Sequence, residues 1–111
     1  MKVAEFHQMQ AKAMPERDLE AEVKTLAERL GLKYYHTHRS DNSVEGFPDD
    51  VIISPHGRGT LFRELKRQGQ KPSVEQQKWL DALVANGHDV AVWRPEDLFS
   101  GRILEELRSI T

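Results

Sequence analysis

The stretch from Gly46 to Lys66, GFPDDVIISPHGRGTLFRELK, decides the fold. Asp49 opens a short apolar run, Val51-Ile52-Ile53, and a turn-rich link, Ser54-Pro55-His56-Gly57-Arg58-Gly59, follows it. A second strand-like run then ends in Glu64-Leu65-Lys66. Two such runs joined by glycine and proline predict a β-hairpin over Asp50–Ile53 and Thr60–Lys66. A strand alternates faces with a period of two, so Phe62, Glu64 and Lys66 share one face, and Leu61, Arg63 and Leu65 share the other. An otherwise apolar strand has little reason to set a carboxylate beside an ammonium unless a site uses both.

Toward the N-terminus, Pro15, Glu16 and Asp18 suit a first helical turn. Leu19, Val23, Leu26 and Leu30 recur at i, i+4, i+7 and i+11, an amphipathic stripe, and Gly31 supplies a stop. Glu16 and Glu20, four apart, lie at the edge of that stripe. They either reach a site at the domain interior or form an ordinary solvated acidic flank. Residues 1–15 read as a short helix or a partner-contacting arm ahead of a single domain over 16–111. Leu32 to His38 alternates as a strand, with His36 and His38 on one face. That is the spacing of a two-histidine ligand pair, although histidines that merely hydrogen-bond are commoner in strands. A polar loop, Arg39 to Gly46, leads into the hairpin.

Toward the C-terminus, Ser73 and Gln76 form a capping-box pattern at the start of a helix. Its apolar face is Trp79, Leu80 and Leu83, with Gln76 on the same side, and Gly87 ends it. His88 to Trp93 predicts a short strand with Val90 and Val92 inward. Arg94-Pro95 breaks it, and Asp97 to Ile110 supplies a terminal helix or two. The predicted order is α-β-β-β-α-β-α, an α/β fold with one central sheet flanked by helices.

At 111 residues, with 31% charged and 38% apolar side chains, the chain suits one soluble globule rather than disorder. Cysteine is absent, which excludes disulfides and thiolate metal sites. No apolar run approaches the roughly 20 residues of a membrane span, and the N-terminus is not a secretory signal. A cytoplasmic location is expected. Net charge is −2, yet Arg58, Arg63, Lys66, Arg67, Lys71 and Lys78 form a basic central band, with Glu64 and Glu75 the acidic residues among them. Such a band either follows a phosphate backbone or is a solvated face.

The hairpin link lets antiparallel pairing bring Asp49 close to Glu64. Two adjacent carboxylates repel unless a cation lies between them. A hard divalent ion, Mg²⁺ or Mn²⁺, takes such oxygen ligands, acidifies bound water and draws charge from a phosphoryl oxygen. Lys66 beside it suits the attacking water or the scissile phosphate.

The ordered set Pro48-Asp49, Glu64-Leu65-Lys66, Ser73 and Gln76 resembles the PD-(D/E)xK nuclease superfamily, whose core is restriction-endonuclease-like. The fuller string resembles the virus-type replication-repair nuclease (VRR-NUC) family over residues 16–98. It comprises GFPD, FRELK, Ser73-x-x-Gln76-x-x-Trp79, Leu83, Gly87, VAVWRP, the glutamate-bearing helix and the segment His36-Thr37-His38-Arg39-Ser40. The resemblance implies metal binding by Asp49, Glu64 and the Leu65 carbonyl, with Lys66 catalytic and Gln76 supporting the site. Glu16, ahead of Glu20, matches the helix-one glutamate. Asp50 stands where the family usually has an apolar residue, and Asp49 is the expected ligand.

Further implications are an Mg²⁺- or Mn²⁺-dependent endonuclease for structured or branched DNA, similar to Holliday-junction resolvases. Such a protein acts as a homodimer in the cytoplasm of a bacterial or phage-infected cell. Arg39, Arg58, Arg63, Arg67 and Lys71 are the expected DNA contacts. The alternative is a non-catalytic DNA-binding or assembly subunit retaining the fold.

Overall fold

The structure is a computed structural model that describes residues 2–38 and 44–111. Its elements are α1 (Val3–Ala13), α2 (Glu16–Arg29), β1 (Lys33–His36), β2 (Asp50–Ile53), β3 (Thr60–Leu65), α3 (Val74–Ala85), β4 (Asp89–Trp93), α4 (Pro95–Phe99) and α5 (Arg102–Arg108). Among the described residues the strands form one four-stranded sheet in the order β1-β2-β3-β4. The first three strands are antiparallel neighbours, and β4 runs parallel to β3. A parallel step needs a crossover, and α3 provides it. This is the mixed α/β architecture expected from the sequence.

Each boundary has a local cause. Pro15 precedes α2 with extended geometry, and Glu16 and Asp18 lie in its first turn, where the helix dipole favours acids. Gly31 takes φ 75° at its end, and the Leu32 amide donates back to the Ala27 carbonyl at 3.0 Å. Leu32 thus finishes the helix instead of opening the strand, and β1 is shorter than the sequence suggests. Ser73 and Gln76 close the predicted capping box on α3.

The two faces of the sheet differ in content. Tyr34, His36, Asp50, Ile52, Leu61, Arg63, Leu65 and Trp93 share one face by register. That face carries the main core, in which Ile52, Leu61, Leu65 and Trp93 pack with Leu19, Val23 and Ala27 of α2 and with Ile103 and Leu107 of α5. The opposite face carries Phe62 and Glu64, covered by α3 and by Phe47. Phe47 meets Phe62 and Trp79 edge-on, at ring-centroid distances of 6.4 and 5.2 Å. Val90 and Val92, the predicted inward pair of β4, are half-buried on this second face. Trp93 of the same strand fills the larger core and is wholly buried. A sheet covered on both sides has two inward directions, and alternation alone cannot rank them.

The N-terminal segment is helical. Helix α1 packs on α4, with His7 stacked on Phe99 at 5.5 Å. No helix among the described residues is long and apolar enough to cross a membrane.

Candidate functional site

Asp49 stands one residue ahead of the paired part of β2, on the α3 side of the sheet. Its Oδ2 accepts the Leu65 amide at 2.8 Å. In an extended strand the N–H and C=O of one residue point to the same side, so the Leu65 carbonyl is directed toward Asp49 as well. Glu64 lies on the same face as Asp49 and is fully buried. Its Oε1 accepts Gln76 Nε2 at 3.3 Å. Its Oε2 is buried with no hydrogen-bond partner.

Burial pushes the Glu64 carboxyl well above the ordinary carboxylate range, and contact with Asp49 and its charge push it further. The Lys66 ammonium works in the opposite direction, and the charge of Glu16 adds to the rise. A carboxyl so strongly biased toward its proton marks a place that lacks positive charge.

A divalent cation fits that place. The donors would be Asp49, the orphaned Glu64 Oε2 and the Leu65 carbonyl, an all-oxygen set of the type Mg²⁺ and Mn²⁺ prefer alongside several waters. No group of three His, Asp or Glu side chains able to hold a metal is present among the described residues. The set therefore stands on two carboxylates and a backbone oxygen.

The two helix-one glutamates separate. Glu16 is the one whose charge reaches Glu64. Glu20 is directed to the other face, where its Oε2 lies 3.4 Å from His36 Nε2. The other imidazole nitrogen, Nδ1, lies 2.8 Å from Asp50 Oδ1. Both ring nitrogens of His36 thus face carboxylates, while His38 meets the ring edge-on at 5.9 Å. Asp50 points away from Asp49 into the α2 layer, wholly buried, with Tyr34 donating to it at 2.9 Å. Burial raises the Asp50 carboxyl to about 6, against the lowering effect of its bonds to His36 and Tyr34. This Tyr34–Asp50–His36–Glu20 set was not visible in the sequence as a unit, because it depends on His36 falling opposite Asp50.

The basic residues also divide. Arg63, expected at the DNA surface, is instead buried in the main core with 2% of its surface exposed. Its guanidinium donates to Asp89 Oδ1 and Glu106 Oε1, both at 2.9 Å, and lies 5.0 Å above the Trp93 ring. The reason is parity: position 63 falls on the face opposite Glu64. Arg58 is exposed in the β2–β3 link, at the far end of the hairpin from Asp49. The four residues of β2 separate those ends, about 13 Å by strand rise. Arg67 and Lys71 are exposed on the loop directly after Lys66, and Arg94 braces that loop through two bonds to the Gln70 carbonyl at 2.7 and 3.1 Å. Arg39 lies outside the described residues.

Neither a protein-family model nor a curated protein matches the sequence. A solved structure titled "VRR_NUC domain" is similar to it, with a TM-score of 0.64 and 24% identity, over 78% of this chain and 92% of that one. The chain has the VRR_NUC fold. That fold carries the Asp49, Glu64, Lys66 and Gln76 arrangement. Within it the residue that sequence reasoning missed is Gly46, at φ 96° against the first turn of α3. Gly46 opens the GFPD string, and only glycine accepts both a positive φ and a backbone this close to its Cα.

Proposed function

We propose that the protein is a member of the VRR-NUC family and a divalent-metal-dependent endonuclease that hydrolyses phosphodiester bonds in DNA. The observation that carries this reading is Glu64: a buried carboxyl with an unpartnered oxygen, beside Asp49 and on the same face as Lys66.

Each side chain has a distinct task. Asp49, Glu64 and the Leu65 carbonyl hold Mg²⁺ or Mn²⁺. When bound, the metal supplies Lewis acidity to a phosphoryl oxygen and a more acidic water. Gln76 fixes one oxygen of Glu64 so that the other faces the site. Leu65 N–H does the same for Asp49. The Lys66 ammonium orients the attacking water and offsets charge that builds on the phosphate. Arg67 and Lys71 grip the flanking backbone. The charge of Glu16 adds to the acidic set around Glu64.

Branched or flapped DNA is the proposed substrate, cut by a homodimer whose two-fold axis gives each strand of a pseudo-symmetric junction its own site. The test is cleavage of four-way junctions, flaps and plain duplex with Mg²⁺, with Mn²⁺ and with EDTA, beside a mass measurement in solution. Metal-dependent cutting that disappears in Glu64→Ala and Lys66→Ala protein supports the reading. Cutting that persists in those variants removes it. Junction binding without turnover at any metal concentration identifies the alternative, a non-catalytic DNA-binding subunit.

A further inference from the structure

Consecutive residues of a strand point to opposite faces, so Asp50 passes through the sheet from the Asp49 side. On the α2 side it is wholly buried, and its Oδ1 is shared by the Tyr34 hydroxyl at 2.9 Å and His36 Nδ1 at 2.8 Å. Its Oδ2 has no hydrogen-bond partner. Stability alone does not account for this arrangement. A buried polar atom left unpartnered costs free energy, and apolar replacements of similar volume in buried ionic sets are often neutral or stabilising. What a polar network supplies and an apolar contact lacks is direction.

Direction is needed at this point of the chain. The β1–β2 and β2–β3 pairings both stop at Asp50, opposite His36 and Arg63. Asp49 is therefore just beyond the ladder, where pairing frays most easily. Two contacts from Thr37 hold its backbone: the Thr37 amide to the Asp49 carbonyl at 2.7 Å, and Thr37 Oγ1 to the Pro48 carbonyl at 2.8 Å. Both end on carbonyl oxygens, which accept over a broad range of angles, so they restrain rotation of the strand about its own axis only loosely. Side chains on adjacent Cα atoms turn together, so a carboxylate pinned on one face restrains its neighbour on the other.

We infer that Asp50, with Tyr34 and His36, is a positioning residue: anchored on the α2 face, it keeps Asp49 aimed at the Leu65 amide and Glu64 on the α3 face. Glu20, 3.4 Å behind His36, brings α2 into the same chain of contacts. The purpose of the device rests on the nuclease reading; its geometry does not.

The experiment measures hydrogen exchange at the Leu65 amide in metal-free protein, together with Mn²⁺ binding by titration calorimetry. Asp50→Val removes both anchoring bonds and suits the apolar layer. It is expected to lower the melting temperature, because the Tyr34 hydroxyl and His36 Nδ1 lose their shared acceptor, while the Leu65 amide exchanges about tenfold faster relative to the other β3 amides and Mn²⁺ affinity falls about 10- to 100-fold. Asp50→Asn keeps an acceptor for Tyr34 and His36 and should stay near wild type in the exchange measurement. Should Asp50→Val not fold, His36→Leu removes one of the two anchoring bonds and should show a smaller change in the same direction. Unchanged Leu65 exchange in folded Asp50→Val or His36→Leu protein overturns the inference, even if the wild type cuts DNA well. Faster exchange in the variants, beside a wild type that binds no Mn²⁺ and cuts nothing, supports the positioning and sinks the nuclease reading instead.

Discussion

Gln76 joins two structures with one side chain: its Oε1 accepts the Ser73 amide at 2.8 Å, and its Nε2 donates to Glu64 Oε1 at 3.3 Å. The helix cap and the candidate site therefore share a residue and are separable by mutation. Ser73→Ala removes the reciprocal cap bond and is expected to cost about 1 kcal/mol of stability, with little change in cleavage. Gln76→Ala should cost a similar amount and also lower cleavage at least tenfold. Chemical denaturation run beside the junction assay checks both, and equal activity losses in the two variants would contradict a site role for Gln76.

In metal-free protein the pH dependence of stability follows from the raised Glu64 and Asp50 carboxyls. Below the unfolded values, near 4.5 for Glu64 and 3.8 for Asp50, both states hold the proton and no penalty arises. As pH rises, the unfolded chain ionises while the folded one retains its protons, so stability falls. The Asp50 contribution is complete above about 6, whereas that of Glu64 continues well beyond. The slope is at most about 1.4 kcal/mol per pH unit for each group. Thermal melts in EDTA from pH 4.5 to 8 should show this decline, and Glu64→Gln should flatten it. Added Mg²⁺ should restore wild-type stability at high pH and leave Glu64→Gln unaffected.

Gly46 has φ 96°, and a Cβ there would meet the Glu75 carbonyl carbon and oxygen at 2.6 Å and the Gln76 nitrogen at 2.9 Å. Those atoms are backbone at the start of α3 and cannot swing aside. Gly46→Ala is expected to cost about 3 kcal/mol and to reduce cleavage by shifting Gln76 relative to Asp49. Gly57 also has positive φ, 75°, but nothing within 4 Å. Gly57→Ala should cost about 1 kcal/mol and leave cleavage intact. Urea unfolding of the pair distinguishes crowding from backbone strain.

Salt dependence sorts the arginines. Arg67→Ala and Lys71→Ala should each reduce the slope of log affinity for junction DNA against log salt by about 1. Arg58→Ala, at the far end of the hairpin, should leave it unchanged. Arg63→Ala should leave the slope alone but cost about 2 to 5 kcal/mol, chiefly through the buried gap it leaves against Trp93, since Asp89 is exposed and Glu106 keeps its bonds to Arg102 and Trp93. An Arg63 variant of normal stability with a weakened salt slope would reverse the assignment.

Much of this was legible in the sequence because it depends on short-range periodicity. The Leu19-Val23-Leu26 stripe, the Ser73/Gln76 cap and the common face of Glu64 and Lys66 are all set by neighbours a few positions away. The Asp49–Glu64 approach followed from the hairpin, since its link is short. Long-range register was not legible. Whether Arg63 faced solvent or core depended on which face α2 and α5 covered, and Trp93 decided that through its pairing with Leu65. The Tyr34–Asp50–His36 set required knowing that His36 sits opposite Asp50, a pairing between positions well separated along the chain.

Asp49 and Asp50 serve opposite sides of the sheet from adjacent positions. A slip of β2 by a single place would exchange them, delivering an aspartate to the cleft in either frame. Chemistry at the cleft thus gives folding no signal that the frame is wrong. Ile52 supplies that signal, since the slip would push it out of the core and bring Val51 and Ile53 in. Correct threading of this sheet is guarded by an aliphatic residue that never touches its acids.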